Sequence, residues 1–433
     1  MKRLANGKTV RWWARRKKGT PARMRKRAAS PSSFSLRARW VLPVDGAPIH
    51  GGCVTIAGGR LAAIGSLPEN AGPMHDLGDI VLMPGLVNAH THLEFSQLAV
   101  PLGAARMSLA AWIRLVIGDR KRVGRNAAAA IAAGIAESIA AGVTAIGEIA
   151  TAPADDYRWA DDGPAIVLFQ EAIGFSAGRV ESVFAEVERR LEAVRGMHGG
   201  LSPHAVYTVH PRLLARIVEL AVARQAPVAM HLAESPEELA LLASGSGAFR
   251  DLLQERSMWD PAAIPDGSRP LDYLHILARA PRAAVIHGNY LANDEIEFIG
   301  QRRDTMSVVY CPRTHDYFGH APYPLSAMLA AGVRMALGTD SRASNPDLNL
   351  LNDLRFAAAR YPAIDPATLL RMATLDGATA LGLGAETGSI TPGKRADLVA
   401  LPCDPTATDP HEALLAVGEP SAVWIAGRQV LET

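Results

Sequence analysis

An α/β fold, a (β/α)8 barrel of the TIM type carrying a small β-sandwich domain built from both chain ends, is what this sequence predicts. Three observations predict it. Eight short apolar runs between residues 82 and 341 alternate with stretches whose apolar positions recur every three and four residues, the rhythm of parallel strands joined by crossover helices. Both ends of the folded region read as short strands broken by glycine turns. Histidines and acids gather where the middle strands end, the face on which such a barrel carries its chemistry.

The chain has 433 residues, 48% of them hydrophobic, enough for one large domain and a smaller companion. Its net charge of +2 hides an asymmetry: residues 1–40 carry 14 Lys and Arg and no acid, leaving 31 bases against 43 acids in the rest. Residues 1–38 read as a basic, disordered extension with no catalytic role, and Met24 inside it offers a second start. A nucleic-acid or membrane-surface arm and a targeting segment are the competing readings. A secretory signal needs an apolar segment after the bases, and none follows. Three widely spaced cysteines, Cys53, Cys311 and Cys403, offer neither a disulfide framework nor a CxxC knuckle and suit a reducing cytoplasm. No window reaches the length of a membrane span.

From residue 39 to 83, GAPIHGGCVTIAGGRLAAIG reads as small antiparallel strands, and ADLVALPCD and AVWIAGRQVLET in residues 385–433 read likewise. Together they predict one composite β domain around a barrel over residues 84–384. The eight barrel strands are expected at 82–92, 143–150, 165–174, 201–209, 227–235, 283–291, 306–315 and 334–341, with helices such as 181–195 and 211–224 between them. The longest irregular stretch, residues 244–270, is expected to be a lid or substrate loop.

Strand ends then name the mouth. PGLVNAHTHLEFS (84–96) gives His90 and His92, which, as alternate residues of a strand, share a face and can reach one object together. His204 stands near the end of strand four, His231 and Glu234 at strand five, His287 at strand six, Asp340 at strand eight. His90, His92, His231 and Asp340 make a nitrogen-and-oxygen set for one divalent ion, zinc or ferrous iron. LSPHAVYTV carries neither the lysine nor the acid that a bridged two-metal site would want. A bound ion of this kind lowers the pKa of water from 15.7 toward about 7. Glu234 is placed to take the water's proton and pass it to a ring nitrogen and a leaving group, His287 to hold the attacking oxygen, and Asp340 to accept a proton on its second oxygen. Each residue alone has a bland reading: HxH as a surface pair, His231 as a core histidine, His204 as a rim polar group, Asp340 as a helix cap. All would have to hold at once, in barrel order.

Over residues 40–433 the chain resembles the amidohydrolase superfamily, in its mononuclear deaminase and chlorohydrolase branch. The carriers are PGLVNAHTH, HLAE (231–234), HGNY (287–290), GTDS (338–341) and GSITPGKRADLVAL (388–401). The resemblance implies hydrolysis of an amino or halide substituent from a heterocycle with one metal. HTHLEFS and GTDSRASNPDLNLLNDLR resemble the aminodeoxyfutalosine deaminase subgroup, implying release of ammonia from an adenine-type nucleoside derivative. Guanine, methylthioadenosine or adenosylhomocysteine deamination, triazine dechlorination, and a metal-less interaction protein remain the alternatives. Glu94 is expected to meet a ribose hydroxyl or an amino group, Arg313 or Arg342 a substrate carboxylate, and Trp259 an aromatic ring. The expected partners are a small heterocycle and water, with no nucleic acid for the barrel and no membrane; pairing of barrels through their helices stays open.

Overall fold

The computed structural model describes residues 33–65, 72–122, 126–159, 163–416 and 418–432. At its centre eight parallel strands follow one another in chain order: Leu86–Thr91, Val143–Ala150, Ala165–Ala172, His198–Pro203, Val228–Leu232, Ala283–His287, Met306–Tyr310 and Arg334–Leu337. Most are buried along their whole length, which is why they read as unbroken apolar runs. The first and last strands close the barrel. Thr91 and Asp340 form a parallel bridge, and Asp340 N–H donates to the His90 carbonyl at 3.1 Å. Asn88 Nδ2 donates to Thr339 Oγ1 at 2.8 Å, and Thr339 N–H returns to Asn88 Oδ1 at 3.0 Å. A Cβ on Gly338 would stand 2.9 Å from the His90 carbonyl oxygen, so a bare backbone is what lets this seam close.

The barrel is filled rather than hollow. Val87, Ile149, Phe169, Ala229 and Ile286 pack in one cluster with Leu381 and Leu383, which follow the helix Leu375–Ala380 and sit by the strand starts. The helices outside obey the expected spacing. Pro211–Arg224 buries Leu213, Leu214, Ile217, Val218 and Ala221, starts on proline and ends at left-handed Gln225. The helix expected at 181–195 runs Val180–Ala193.

Two sheets form the companion domain. One is antiparallel around Cys53–Ala57, with Ser33–Arg37 and Arg60–Gly65 on its sides; the other pairs Ile80–Pro84 with Leu398–Pro402, joining the two chain ends. Phe34, Val54, Ile56, Leu82, Leu398 and Trp424 pack between them.

Three expectations need correction. Residues 33–38 are not extension: Ser33–Arg37 is a strand with Phe34 and Leu36 buried, an alternation masked by the basic residues around it. Residues 1–32 lie outside the described residues. The run 82–92 is two strands in different sheets, divided at Gly85, where a Cβ would lie 2.0 Å from Thr144 Oγ1. The stretch 244–270 is not wholly irregular; it contains the helix Ala248–Glu255, anchored by Phe249, Leu252 and Leu253. No helix among the described residues is long and apolar enough to cross a membrane.

Candidate active site and metal centre

The barrel seam delivers the first two histidines. Pairing between the first two barrel strands shifts register between Asn88 and Thr91, a local bulge that re-aims side chains. The strand ends at Thr91, and His92 follows it in extended conformation. The two rings come within 4.9 Å, nearly perpendicular. His231 is the penultimate residue of the fifth strand, its ring 4.9 Å from His90 and 5.5 Å from His92. One ligand nitrogen from each of the three lies within 4.8 Å of the others.

Asp340 completes the group, with Oδ1 3.5 Å from His90 Nε2 and 3.7 Å from His92 Nε2. Its Oδ2 accepts from Ser344 Oγ at 2.9 Å. Burial alone would raise the Asp340 pKa, but the imidazoles packed around it, His90 foremost and then His287 and His92, outweigh it and hold the carboxyl well below its usual range. Burial, with neighbouring imidazoles adding, pushes His92 and His231 well down, so both rings are neutral. His231 Nδ1 lies 2.9 Å from the His204 carbonyl. A carbonyl only accepts, so the proton is on Nδ1 and Nε2 keeps its lone pair for a ligand. Both nitrogens of His90 and Nδ1 of His92 are buried with no hydrogen-bond partner. Uncompensated polar atoms at such depth are costly. Three imidazoles and one carboxylate oxygen gathered this closely fit a divalent cation and account for that cost.

The backbone around this point is strained. Ala233, His287 and Asp340 hold φ of 55°, 68° and 56°, a left-handed region that side-chain-bearing residues avoid at about 1–3 kcal/mol each. Each is tied down: Ala233 N–H donates to Glu238 Oε1 at 2.7 Å, Tyr323 Oη donates to the His287 carbonyl at 2.9 Å, and Thr91 Oγ1 donates to the Asp340 carbonyl at 2.8 Å. Glu234 is clamped through its peptide groups, its N–H to Glu238 Oε2 at 2.9 Å and its carbonyl from Asn289 Nδ2 at 2.9 Å. The Glu234 carboxyl stands 3.5 Å from His287 Nε2. Burial, then the charge of Asp340, raises its pKa well above the ordinary value. Burial pushes His287 down to about 3, so it is a neutral imidazole.

A cavity of about 260 Å³ opens from this end, lined by His92, His231, Glu234, His287 and Asp340 at its base. Much of its wall is apolar, with Trp112, Ile113 and Val116 from the helix Leu109–Arg122 and with Leu252, Leu253 and Met258, while Arg120, Glu171 and Arg256 are charged groups in the same lining.

The expected substrate residues divide. His204 lines the wall, its Nδ1 2.8 Å from Thr208 Oγ1, and burial with the charge of Arg120 lowers its pKa to about 3. Glu94 lies beside the cavity in an ion pair with Arg120. Trp259 stacks on Phe175 at 5.9 Å and is not among the lining residues. Arg313 is buried against Asp353 and Asp347, both at 2.7 Å, and Arg342 is held by Glu137 at 2.6 Å and by the Leu98 carbonyl. Neither arginine lines the cavity, and their guanidiniums are committed to the protein's own acids. This corrects the expectation that one of them meets a substrate carboxylate. Sequence reasoning missed Glu171, Arg120 and Trp112 in the wall and Glu238 behind it; of these, Glu171 alone carried a signal, an acid at the end of a barrel strand.

The sequence profile of the amidohydrolase family matches residues 81–430. The 5-methylthioadenosine/S-adenosylhomocysteine deaminase of Nitratidesulfovibrio vulgaris strain Hildenborough is 29% identical over 436 residues, covering 93% of this chain and 92% of that protein. The aminodeoxyfutalosine deaminase of Deinococcus radiodurans is 31% identical over 358 residues, covering 78% and 83%. Among solved structures, an adenosine deaminase from Xanthomonas campestris with bound zinc superposes with a TM-score of 0.77 at 27% identity, over 92% of this chain and 93% of that one.

Proposed function

The chain belongs to the amidohydrolase family, and from that premise we propose that it is a cytoplasmic, zinc-dependent aminohydrolase that releases ammonia from an adenine-type nucleoside derivative, aminodeoxyfutalosine or a 5′-thioether adenosine. The observation that carries the proposal is the convergence of His90, His92, His231 and Asp340 within 4.8 Å (three nitrogens) and 3.7 Å (Asp340 to His90 and His92), beside a buried Glu234. Relatives named for adenine-nucleoside deamination and a zinc-bearing structural neighbour support the substrate class and the metal.

His90, His92, His231 and Asp340 would hold the ion, which when bound supplies Lewis acidity that makes water an effective nucleophile at neutral pH. The chain's own groups do the rest. His287, neutral and with Nε2 facing the Glu234 carboxyl, orients the incoming oxygen. Glu234 takes one proton from that water and gives it to the ring nitrogen next to the amino-bearing carbon, a transfer its raised pKa suits. Oxygen bonds to that carbon, the second proton passes by way of Asp340 or Glu234 to the amine, the C–N bond breaks, and ammonia leaves a 6-oxo purine. The apolar walls exclude bulk water from these steps.

Elemental analysis of the purified protein, run with an ammonia-release screen over adenosine, 5′-methylthioadenosine, guanine and a chlorotriazine, tests the reading. One zinc per chain with turnover confined to the nucleosides is expected. Chloride release or guanine turnover without nucleoside turnover would overturn the substrate class, and protein purified without metal that stays inactive with added zinc would overturn the enzyme.

A further inference from the structure

Glu171 is the penultimate residue of the third barrel strand and lines the cavity with a side chain that is 8% exposed. Its peptide carbonyl accepts from Arg190 Nη1 at 3.1 Å. Its carboxylate is different: among the described residues no hydrogen-bond donor reaches it, His204 Nε2 is 3.9 Å away, and the charges of Arg120 and Arg190 offset its burial only in part. Other buried acids nearby are answered. Glu148 accepts the Leu93 N–H at 3.0 Å, and Glu238 accepts two backbone N–H groups. A carboxylate whose exposure is confined to a cavity and that has no protein donor is costly, and the proton transfer already assigned to Glu234 gives Glu171 no role. The cavity therefore presents an acceptor that a ligand must satisfy.

Position and valence define that ligand. The His204 ring lies 4.8 Å from His231 and separates Glu171 from the metal point, so Glu171 faces the part of a substrate one ring away from the reacting carbon. The two oxygens of a carboxyl group suit two neighbouring O–H donors. Arg120, the nearby cation, is ion-paired to Glu94 and lies 5.2 Å over the Phe95 ring, so it neutralises the wall without needing an anionic ligand. Building on the proposed nucleoside reading, we propose that Glu171 is a specificity-determining residue that accepts hydrogen bonds from the 2′ and 3′ hydroxyls of the substrate sugar, selecting a ribonucleoside over a free base or a deoxygenated sugar.

The test compares kcat/KM for adenosine and 2′,3′-dideoxyadenosine, and for 5′-methylthioadenosine and its dideoxy analogue, in the metal-loaded wild-type protein and in Glu171→Gln. Wild type is expected to prefer the diol by about 100-fold, mostly in KM, and the variant to narrow that preference to within about threefold while keeping its metal and its turnover of the dideoxy compounds. Wild type that does not discriminate, or a variant that discriminates equally well, would overturn the role of Glu171 and leave nucleoside deamination standing. Ammonia from a free base with none from any nucleoside would overturn both. Should Glu171→Gln not fold, the wild-type comparison alone still decides, because loss of the diol preference there is sufficient to refute the assignment.

Discussion

Asp397, in the small two-sheet domain, and Asp340, at the barrel mouth, are both buried aspartates, and their surroundings differ in kind. Asp397 is saturated: Thr387 Oγ1 donates to it at 3.0 Å, Ala426 N–H at 2.9 Å, and Arg395 Nε is 3.0 Å away. Asp340 faces imidazole nitrogens that have no partner of their own, on a backbone turned to a positive φ. Where polarity serves the fold, donors and acceptors close on each other. Where, on the proposed reading, it serves a cation and a substrate, they are left open and the strain is held by neighbours.

Breaking each aspartate should therefore break different things. Asp340→Ala or His90→Ala is expected to abolish bound metal and activity together, by about 1,000-fold or more in kcat/KM, while the melting temperature of the metal-free protein changes little. Asp397→Ala is expected to cost about 3 kcal/mol of stability, because the Arg395 charge is stranded, with metal content per folded chain unchanged. Elemental analysis and thermal melting on the same preparations separate the two. Loss of metal in Asp397→Ala would erase the contrast.

Glu234→Gln sharpens the comparison inside the mouth. The amide keeps the size and the backbone clamp from Glu238 and Asn289 but cannot shuttle a proton, so metal should stay while kcat falls about 100- to 10,000-fold. A variant with near-full turnover would remove the proton role.

How far all this could be read in the text depended on whether a residue's meaning needed a distant partner. His90, His92, His231 and Asp340 stood out because ligand types at successive strand ends are meaningful once the barrel is recognised. Arg313 and Arg342 looked equally available, since nothing local announces that Asp353, Asp347 and Glu137 fold onto them. Glu171 was hidden for the opposite reason. Its place near a strand end was a signal, but an acid there reads as solvated, and only the fold shows it largely buried in the cavity lining. The strand Ser33–Arg37 was obscured by composition, its alternation of Phe34 and Leu36 too short to outweigh the flanking arginines.

Glu238 extends the contrast to pH. It is fully buried, and burial raises its pKa to about 7 although the N–H groups of Glu234 and Ala233 oppose the shift. Against an unfolded value of 4.5, the folded state holds more protons between pH 4.5 and about 7, so this group's contribution to stability falls as pH rises through that window and is level above it. The drop is about 3 kcal/mol. Glu238→Gln should flatten that part of the stability profile measured by urea unfolding, and an unchanged slope would mean that Glu238 ionises normally.

The smallest expected effect lies one hydrogen bond from the proposed ligand set. Ser344 Oγ donates to Asp340 Oδ2 at 2.9 Å and lies 3.0 Å from Thr314 Oγ1, so the hydroxyl fixes which oxygen of Asp340 faces His90 and His92. Ser344→Ala removes that donor while adding no bulk. Hydrogen-bond partners of metal ligands are worth about 10- to 100-fold in affinity, and one neutral donor belongs at the lower end, so zinc affinity by chelator competition should weaken about tenfold with kcat at saturating metal nearly unchanged. A saturated aspartate such as Asp397 would feel the loss of a single hydroxyl as stability alone. If Ser344→Ala lowers stability but not zinc affinity, Asp340 belongs with Asp397, and the open character assigned to the barrel mouth does not extend to its carboxylate.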